Sequence, residues 1–552
     1  MQKLRMSVAA AAAFLLVFQL ANAKVDTTRI TRSRVAAAQQ LLGLNFTRAE
    51  QDSMLSVLKE YLTDYDSLRK FTIPNGLAPV LVFDPIPTGF EFKPRSKQNR
   101  LSPIGRVKRP ERMEDLAFYS IRELGELLRT RRVTSTELTK FFLERLKKYN
   151  PMLLCVVNLT EERALQEAAK ADEEIAAGRY RGPLHGIPYG AKDILAAKGY
   201  PTTWGSRIFK DQMIDEDATV VKKLADAGAV LAAKLTVGEF AWGDVWYGGI
   251  TRNPWDTAQG SSGSSAGSAS AVASGCLPFA IGTETWGSIV SPSSRCGATG
   301  LRPTFGRVSR AGAMALSWSM DKIGPICRAV EDCAIVFDAI LGPDGVDRAV
   351  RDYPFNYSAN INLKKLRIGY LKKDMDKDTA HAEFNNAVLE TFRQMGVTLH
   401  EIELPNLGIF PMSFILTAEA AAAFDEITRS NQDDQMVRQI KDAWPNYFRA
   451  SRFIPAVEYI QANRLRRLVI EEMEKLMDSI DVYIAPPFEG DNLLLTNLTG
   501  HPCVVLPNGF DKEGHPTSIT FMGRLYDEAT VLAVAKAYQD ATDFHRKHPT
   551  GF

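Results

Sequence analysis

The chain has 552 residues, 45% of them apolar and 24% charged, with a formal net charge of +2. That length exceeds one core of ordinary size, and the composition is that of a globular protein, which excludes disordered and collagen-like classes. So small a net charge gives no electrostatic case for nucleic acid as a partner.

Lys3 and Arg5 form a basic start, Ser7 to Leu20 is apolar, and Ala21-Asn22-Ala23 is a small-residue cleavage site. This pattern predicts a secretory signal peptide over residues 1–23 and a secreted or periplasmic protein. The apolar run is shorter than the roughly 20 residues a span requires, so no stable membrane span is expected after cleavage. Residues 24–112 read as an N-terminal helical extension and linker. Arg34 to Leu44 and Ala49 to Leu68 have helical periodicity, with Thr47 placed to cap the second helix near Gln51. A proline-rich passage from Ile73 to Pro87 and a basic stretch from Lys93 to Arg112 follow, the latter expected as an exposed linker.

From residue 113 to 552 helices and strands alternate. Ile121–Arg129, Thr134–Lys148, Thr160–Ala177 and Thr219–Ala227 read as helices, and Leu153–Asn158 and Val230–Lys234 as strands. Gly267–Gly275 is a helix of very small residues, and Pro278–Gly282 a short apolar strand. Later, Leu366–Leu371 and Val482–Ala485 read as buried strands, with helices over Ala382–Met395 and Ala456–Met477. Such alternation predicts an α/β domain with a mixed sheet covered by helices on both faces.

Six cysteines (Cys155, Cys276, Cys296, Cys327, Cys333 and Cys503) would permit disulfides in an oxidising compartment, but no spacing demands them. There is no CxxC pair and no HExxH, and the seven histidines are scattered, so neither a metal site nor another cofactor is expected.

Three segments carry chemistry. Lys192 sits among Tyr189, Ala191, Ile194 and Leu195, with Gly186 and Gly190 allowing close backbone approach. Burial there would lower the lysine pKa and make the neutral amine a general base. Gly260 to Ser270 reads either as a flexible glycine-serine linker or as part of a site. Gly263-Ser264-Ser265-Ala266-Gly267 also fits a GxSxG nucleophile elbow, with Ser265 as nucleophile and His501 downstream, but Pro254 breaks the run before it. Gly282 to Ser288 is a short loop able to point successive N–H groups into one cavity as an anion nest.

Together, Gly186-Ile187-Pro188-Tyr189-Gly190-Ala191-Lys192-Asp193, Gly263-Ser264-Ser265-Ala266-Gly267-Ser268 and Gly282-Thr283-Glu284-Thr285-Trp286-Gly287-Ser288 resemble the amidase signature family. Cys296 to Thr304 and Asp321 to Ile326 extend the resemblance, which runs from about Glu114 to the C-terminus. The resemblance implies a large α/β domain. It implies Ser288 as nucleophile, Ser264 as a bridging serine after a cis peptide bond, and Lys192 as base. It also implies an oxyanion hole from the N–H groups of Thr285, Trp286, Gly287 and Ser288. Two positions depart from the family pattern, which usually has glycine at Trp286 and arginine at Val290; the tryptophan ring is expected to line or narrow the acyl pocket.

These readings lead to an exported amidase that hydrolyses a small-molecule carboxylic amide to acid and ammonia or amine, without nucleic acid, and leave homodimerisation open. The alternatives are the glutaminase-type A subunit of an Asp-tRNA/Glu-tRNA amidotransferase, and a non-catalytic binding protein of the same fold. Phe414, Phe424, Trp444, Tyr447 and Phe448 either contact an apolar acyl group or pack in the core. Asn45, Asn158, Asn356 and Asn497 lie in N-x-S/T sequons.

Overall fold

A computed structural model describes residues 25–92 and 97–552. The expected signal peptide lies outside the described residues. Among those described, no helix is long and apolar enough to cross a membrane. The chain divides into two compact units, Met1–Leu77 and Ala78–Phe552.

The smaller unit holds two helices, Arg32–Leu41 and Arg48–Leu68. Thr47 caps the second by a reciprocal capping box with Glu50, whose carboxylate accepts the Thr47 N–H at 2.6 Å. Gln51 instead turns back and donates to the Phe46 carbonyl at 2.8 Å.

The boundary falls at Leu77, so residues 78–112 belong to the larger unit and not to the extension in which the sequence placed them. Proline keeps much of this segment extended, and an extended backbone must find partners elsewhere. The Phe83 ring lies 5.0 Å from that of Phe305, and Asp84 pairs with Arg351 at 2.7 Å. Arg100 N donates to the Tyr357 carbonyl at 2.8 Å, and Ser102 N to Glu331 at 2.8 Å.

The core of the larger unit is an eleven-stranded mixed sheet. In chain order its strands are β1 (Val156–Leu159), β2 (Pro188–Lys192), β3 (Val230–Leu235), β4 (Phe279–Glu284), β5 (Thr299–Arg302), β6 (Lys322–Cys327), β7 (Ile368–Tyr370), β8 (Leu399–Glu401), β9 (Val482–Ala485), β10 (Cys503–Phe510) and β11 (Pro516–Gly523). Their spatial order is β1-β3-β2-β4-β6-β5-β10-β11-β9-β7-β8. β2 runs parallel to both β3 and β4, while β6 is antiparallel to β4. Every residue of β2, β3, β4 and β6 is buried, as expected of strands covered on both faces.

The helix Ala266–Ala273 is buried along its whole length, which overturns the linker reading of the glycine-serine run. Small residues allow it to lie directly on the sheet. A Cβ on Gly267 would come within 2.3 Å of the Cys155 carbonyl, and Ser268 Oγ donates to the Ile281 carbonyl of β4 at 3.1 Å. All six cysteines are buried and unpaired.

A chain starting at Ala78 should therefore keep the melting temperature of the larger unit to within a few degrees. One starting at Met113 should lose on the order of 10 °C or more, because it strips the packing and ion pairs of residues 78–112. Calorimetric melts of the two truncations check this.

Candidate active site

Lys192 is the last residue of β2, and its side chain is fully buried. The parallel register sets Ala191 beside Ile281 of β4, so the lysine reaches the end of that strand. Its Nζ donates to Ser264 Oγ at 2.8 Å, Thr283 Oγ1 at 2.7 Å and Ser265 Oγ at 3.1 Å. Among the described residues, no carboxylate touches it. Burial lowers its pKa to about 7, with the more distant Asp321 and Glu284 pulling the other way. Near neutrality a large fraction of the amine is thus unprotonated and able to take a proton.

Ser264 follows a cis peptide bond from Gly263 and is itself buried. The turn is packed too tightly for a larger residue: a Cβ on Gly263 would lie 1.9 Å from the Gly243 carbonyl oxygen. Ser265 N donates to the Ser288 carbonyl at 3.2 Å, which joins the serine turn to the loop after β4. Lys192 and Ser264 are thus in direct hydrogen-bond contact, and Ser288 enters the same assembly through its backbone.

Ser265 does not behave as an elbow nucleophile. Its hydroxyl is fully buried, accepts from Thr283 N at 3.1 Å and donates to the Thr283 carbonyl at 3.1 Å. The strand that precedes the turn, Asp256–Gly260, belongs to a separate two-stranded ribbon with Arg252–Asn253. His501 is buried, bonded through Nδ1 to Thr499 at 2.8 Å, and burial presses its pKa down to about 3.

The loop Thr285–Ser288 is held from both sides. Glu284 ends β4, and its Oε2 accepts from the N–H groups of Ile289 at 2.8 Å and Val290 at 2.9 Å, at the start of helix Val290–Cys296. Its Oε1 accepts from Arg302 at 2.8 Å and Asn497 at 2.9 Å. Burial opposes ionisation of Glu284, but Arg302 and the backbone donors outweigh it and hold the pKa at about 2. The loop is therefore anchored by a permanent carboxylate. On the other side, β6 pairs Lys322 with Glu284, so the residue before β6, Asp321, lies opposite Thr285. Thr285 Oγ1 donates to Asp321 Oδ1 at 2.6 Å. Gly287 has φ +88°, a conformation glycine adopts without strain.

Among the described residues, the N–H groups of Thr285, Trp286, Gly287 and Ser288 donate to no protein acceptor. Four successive donors left free beside a serine can hold an oxyanion. The Trp286 ring is 37% exposed and packs edge-on against Phe410 at 6.2 Å. Val290 is buried and engages Glu284 only through its backbone.

Other sequence candidates fall elsewhere. Phe424, Trp444 and Phe448 are buried and stack on one another, with Phe424 to Phe448 at 5.3 Å and Trp444 to Phe448 at 5.1 Å. Asn497 is fully buried against Glu284, so its sequon is no acceptor for a glycan in the folded chain. Asp511, Glu513 and His515 cluster at the β10–β11 turn, where Asp511 accepts the backbone N–H groups of Glu513 and His515, and none belongs to the Lys192 assembly. Thr283 and Asp321 lie in the segments Gly282–Ser288 and Asp321–Ile326 that carry the family resemblance, but the sequence assigns neither of them a role.

A family model described as Amidase matches residues 137–532. The chain belongs to the amidase signature family. It is accordingly an enzyme acting on amide C–N bonds. It is 36% identical over 486 residues to the A subunit of the glutamyl-tRNA(Gln) amidotransferase from Acinetobacter baumannii, covering 79% of this chain and 98% of that one. Among solved structures it is similar to the native peptide amidase of Stenotrophomonas maltophilia, at 31% identity and TM-score 0.70, over 78% of this chain and 98% of that one. It is also similar to the corresponding amidotransferase A subunit from Thermotoga maritima, at 26% identity and TM-score 0.64, over 77% and 95%.

These findings correct the sequence reading of a free-standing amidase that acts on a small-molecule amide with no nucleic acid among its partners. The curated relatives, matched over nearly their whole length, are named as one subunit of a glutamyl-tRNA(Gln) amidotransferase, which favours the second of the two amide-cleaving readings. Motifs around the scissile bond are common to the whole family, so they do not separate the two.

Two outcomes follow from the geometry. If a neutral Lys192 takes the proton, kcat/KM should fall about tenfold per pH unit below about 7 and level off above it, as read from a pH–rate profile. Glu284→Ala should leave the buried Arg302 guanidinium unpaired and cost about 3–5 kcal/mol in denaturant unfolding.

Proposed function

We propose that this chain is the amide-cleaving A subunit of a glutamyl-tRNA(Gln) amidotransferase-type assembly, releasing ammonia from a glutamine side chain. The reading is supported by the relatives that bear this name and are matched along 98% and more of their length. The contact between Lys192 and Ser264 and the four free N–H groups supply chemistry suited to it.

In this mechanism Ser288 Oγ attacks the amide carbonyl and its proton passes by way of Ser264 to the neutral Lys192. The C–O bond forms as the carbonyl becomes an oxyanion, held by the N–H groups of Thr285, Trp286, Gly287 and Ser288. Collapse breaks the C–N bond. Lys192 returns its proton through Ser264 to the departing nitrogen, so that ammonia leaves and an acyl-serine remains. Water, deprotonated along the same route, then frees the acid. A partner protein holding the glutamyl-tRNA would consume the ammonia.

The purified chain, alone and with the other subunits of such an assembly, should release ammonia from glutamine. Ser288→Ala should lower that release by at least about 10³-fold with no loss of fold by circular dichroism. Absence of ammonia release in both conditions would overturn the reading. So would a chain processed after Ala23 and recovered outside the cytoplasm, where aminoacyl-tRNA is absent.

A further inference from the structure

A cavity of about 750 Å³ lies against the helices Phe414–Ala423 and Ala456–Ser479, and none of the residues around Lys192 lines it. Its walls are largely apolar, formed among others by Leu81, Phe83, Trp318, Ala422, Ile460 and Ile470. That volume is far beyond a packing defect and is the size of a site for a small organic ligand.

Charge at the edge of the cavity is uneven. Asp84 is taken by Arg351, and Arg467 by Glu471, the Ile86 carbonyl and Thr88. Among the described residues Arg464, exposed on the same edge, has only a neutral partner, Gln461 Oε1 at 2.9 Å. An apolar hollow with an uncompensated cation at its mouth is complementary to a molecule with an apolar tail and a carboxylate head.

The floor of the cavity is wired to the oxyanion loop. Glu419 accepts from Ser317 Oγ at 2.7 Å, Ser319 N at 3.0 Å, Ser319 Oγ at 2.7 Å and Tyr459 O–H at 2.7 Å. Ser317 N donates in turn to Asp321 Oδ2 at 3.0 Å, and Asp321 Oδ1 accepts from Thr285. Ser317 is thus held by two carboxylates, the buried Glu419 through its hydroxyl and the half-buried Asp321 through its N–H. A shift of Glu419 is passed toward Asp321 through Ser317, because breaking the buried Ser317–Glu419 bond leaves a polar group unsatisfied.

We infer that this cavity is an effector site for an apolar-tailed carboxylate, and that its occupancy is passed to the Thr285–Ser288 loop through Glu419, Ser317 and Asp321. The tail fills the hollow between the two helices and the head pairs with Arg464.

Dodecanoate, kept below its micelle-forming concentration, is the probe, added to the full chain and followed by calorimetry. Saturable one-to-one binding is expected. Ala422→Trp, which fills the hollow, should raise Kd at least about tenfold, and Arg464→Glu, at an exposed position, at least about fivefold. Neither should alter how fast a short-chain fluorophosphonate labels the unliganded protein. Saturating dodecanoate should change the wild-type labelling rate at least about threefold, and Glu419→Gln should abolish that change. No binding, or equal Kd in wild type and both variants, overturns the site. Binding with an unchanged labelling rate overturns its link to the loop. Since the labelling needs no amide donor, neither result depends on which amide the enzyme cleaves.

Discussion

One amine removed from water, that of Lys192, governs the chemistry of this site. Lys192 is enclosed at the end of β2 with three hydroxyl groups as its side-chain partners and, among the described residues, no carboxylate in contact. Lys234 on the neighbouring strand is equally buried but has an acid partner, Asp193, at 2.7 Å. Two lysines on adjacent strands thus differ in whether a carboxylate is at hand to favour the charged form. Keeping the amine dry opposes folding, and the surroundings offset this with rigidity: a sheet buried on both faces and a small-residue helix pressed against it.

The other charges of the site are arranged so as not to undo this. Glu284 adjoins Thr283, a partner of the lysine, yet its negative charge is engaged by Arg302, Asn497 and two backbone donors. Asp321 is engaged by Thr285 and the N–H groups of Leu316 and Ser317. Both carboxylates fix the loop while remaining too distant, and too well satisfied, to hold the lysine in its charged form. The loop is thereby held in place while, among the described residues, its four N–H groups have no protein acceptor.

The α/β class, the elements that flank the site and the three segments that meet there were all legible in the chain, because alternating apolar periodicity and short motifs are local properties. What escaped was of two kinds. Gly260 to Ser270 could be read as a linker since glycine and serine suit both a flexible tether and a helix in direct contact with a sheet. Only the 2.3 Å that a Cβ on Gly267 would leave to Cys155 decides the matter. Asp321 and Thr283 lie in segments named from the sequence, but their roles depend on strand register across long sequence separations, which no local pattern encodes. The boundary at Leu77 was missed for a similar reason: residues 78–112 lack periodicity, and their partners, such as Phe305 and Tyr357, lie hundreds of positions onward. Function was misread one level higher, because motifs around the scissile bond do not record whether the enzyme works alone.

The six cysteines have a consequence for the life history of the chain. Every thiol is enclosed, and burial pushes those of Cys155, Cys276, Cys296, Cys327 and Cys503 upward, away from the reactive thiolate. No crosslink is needed to reach the native state and no nucleophilic sulfur is presented once it is reached. With no disulfide to reduce and no exposed thiol to oxidise, the folded chain should be little affected by the ambient glutathione balance.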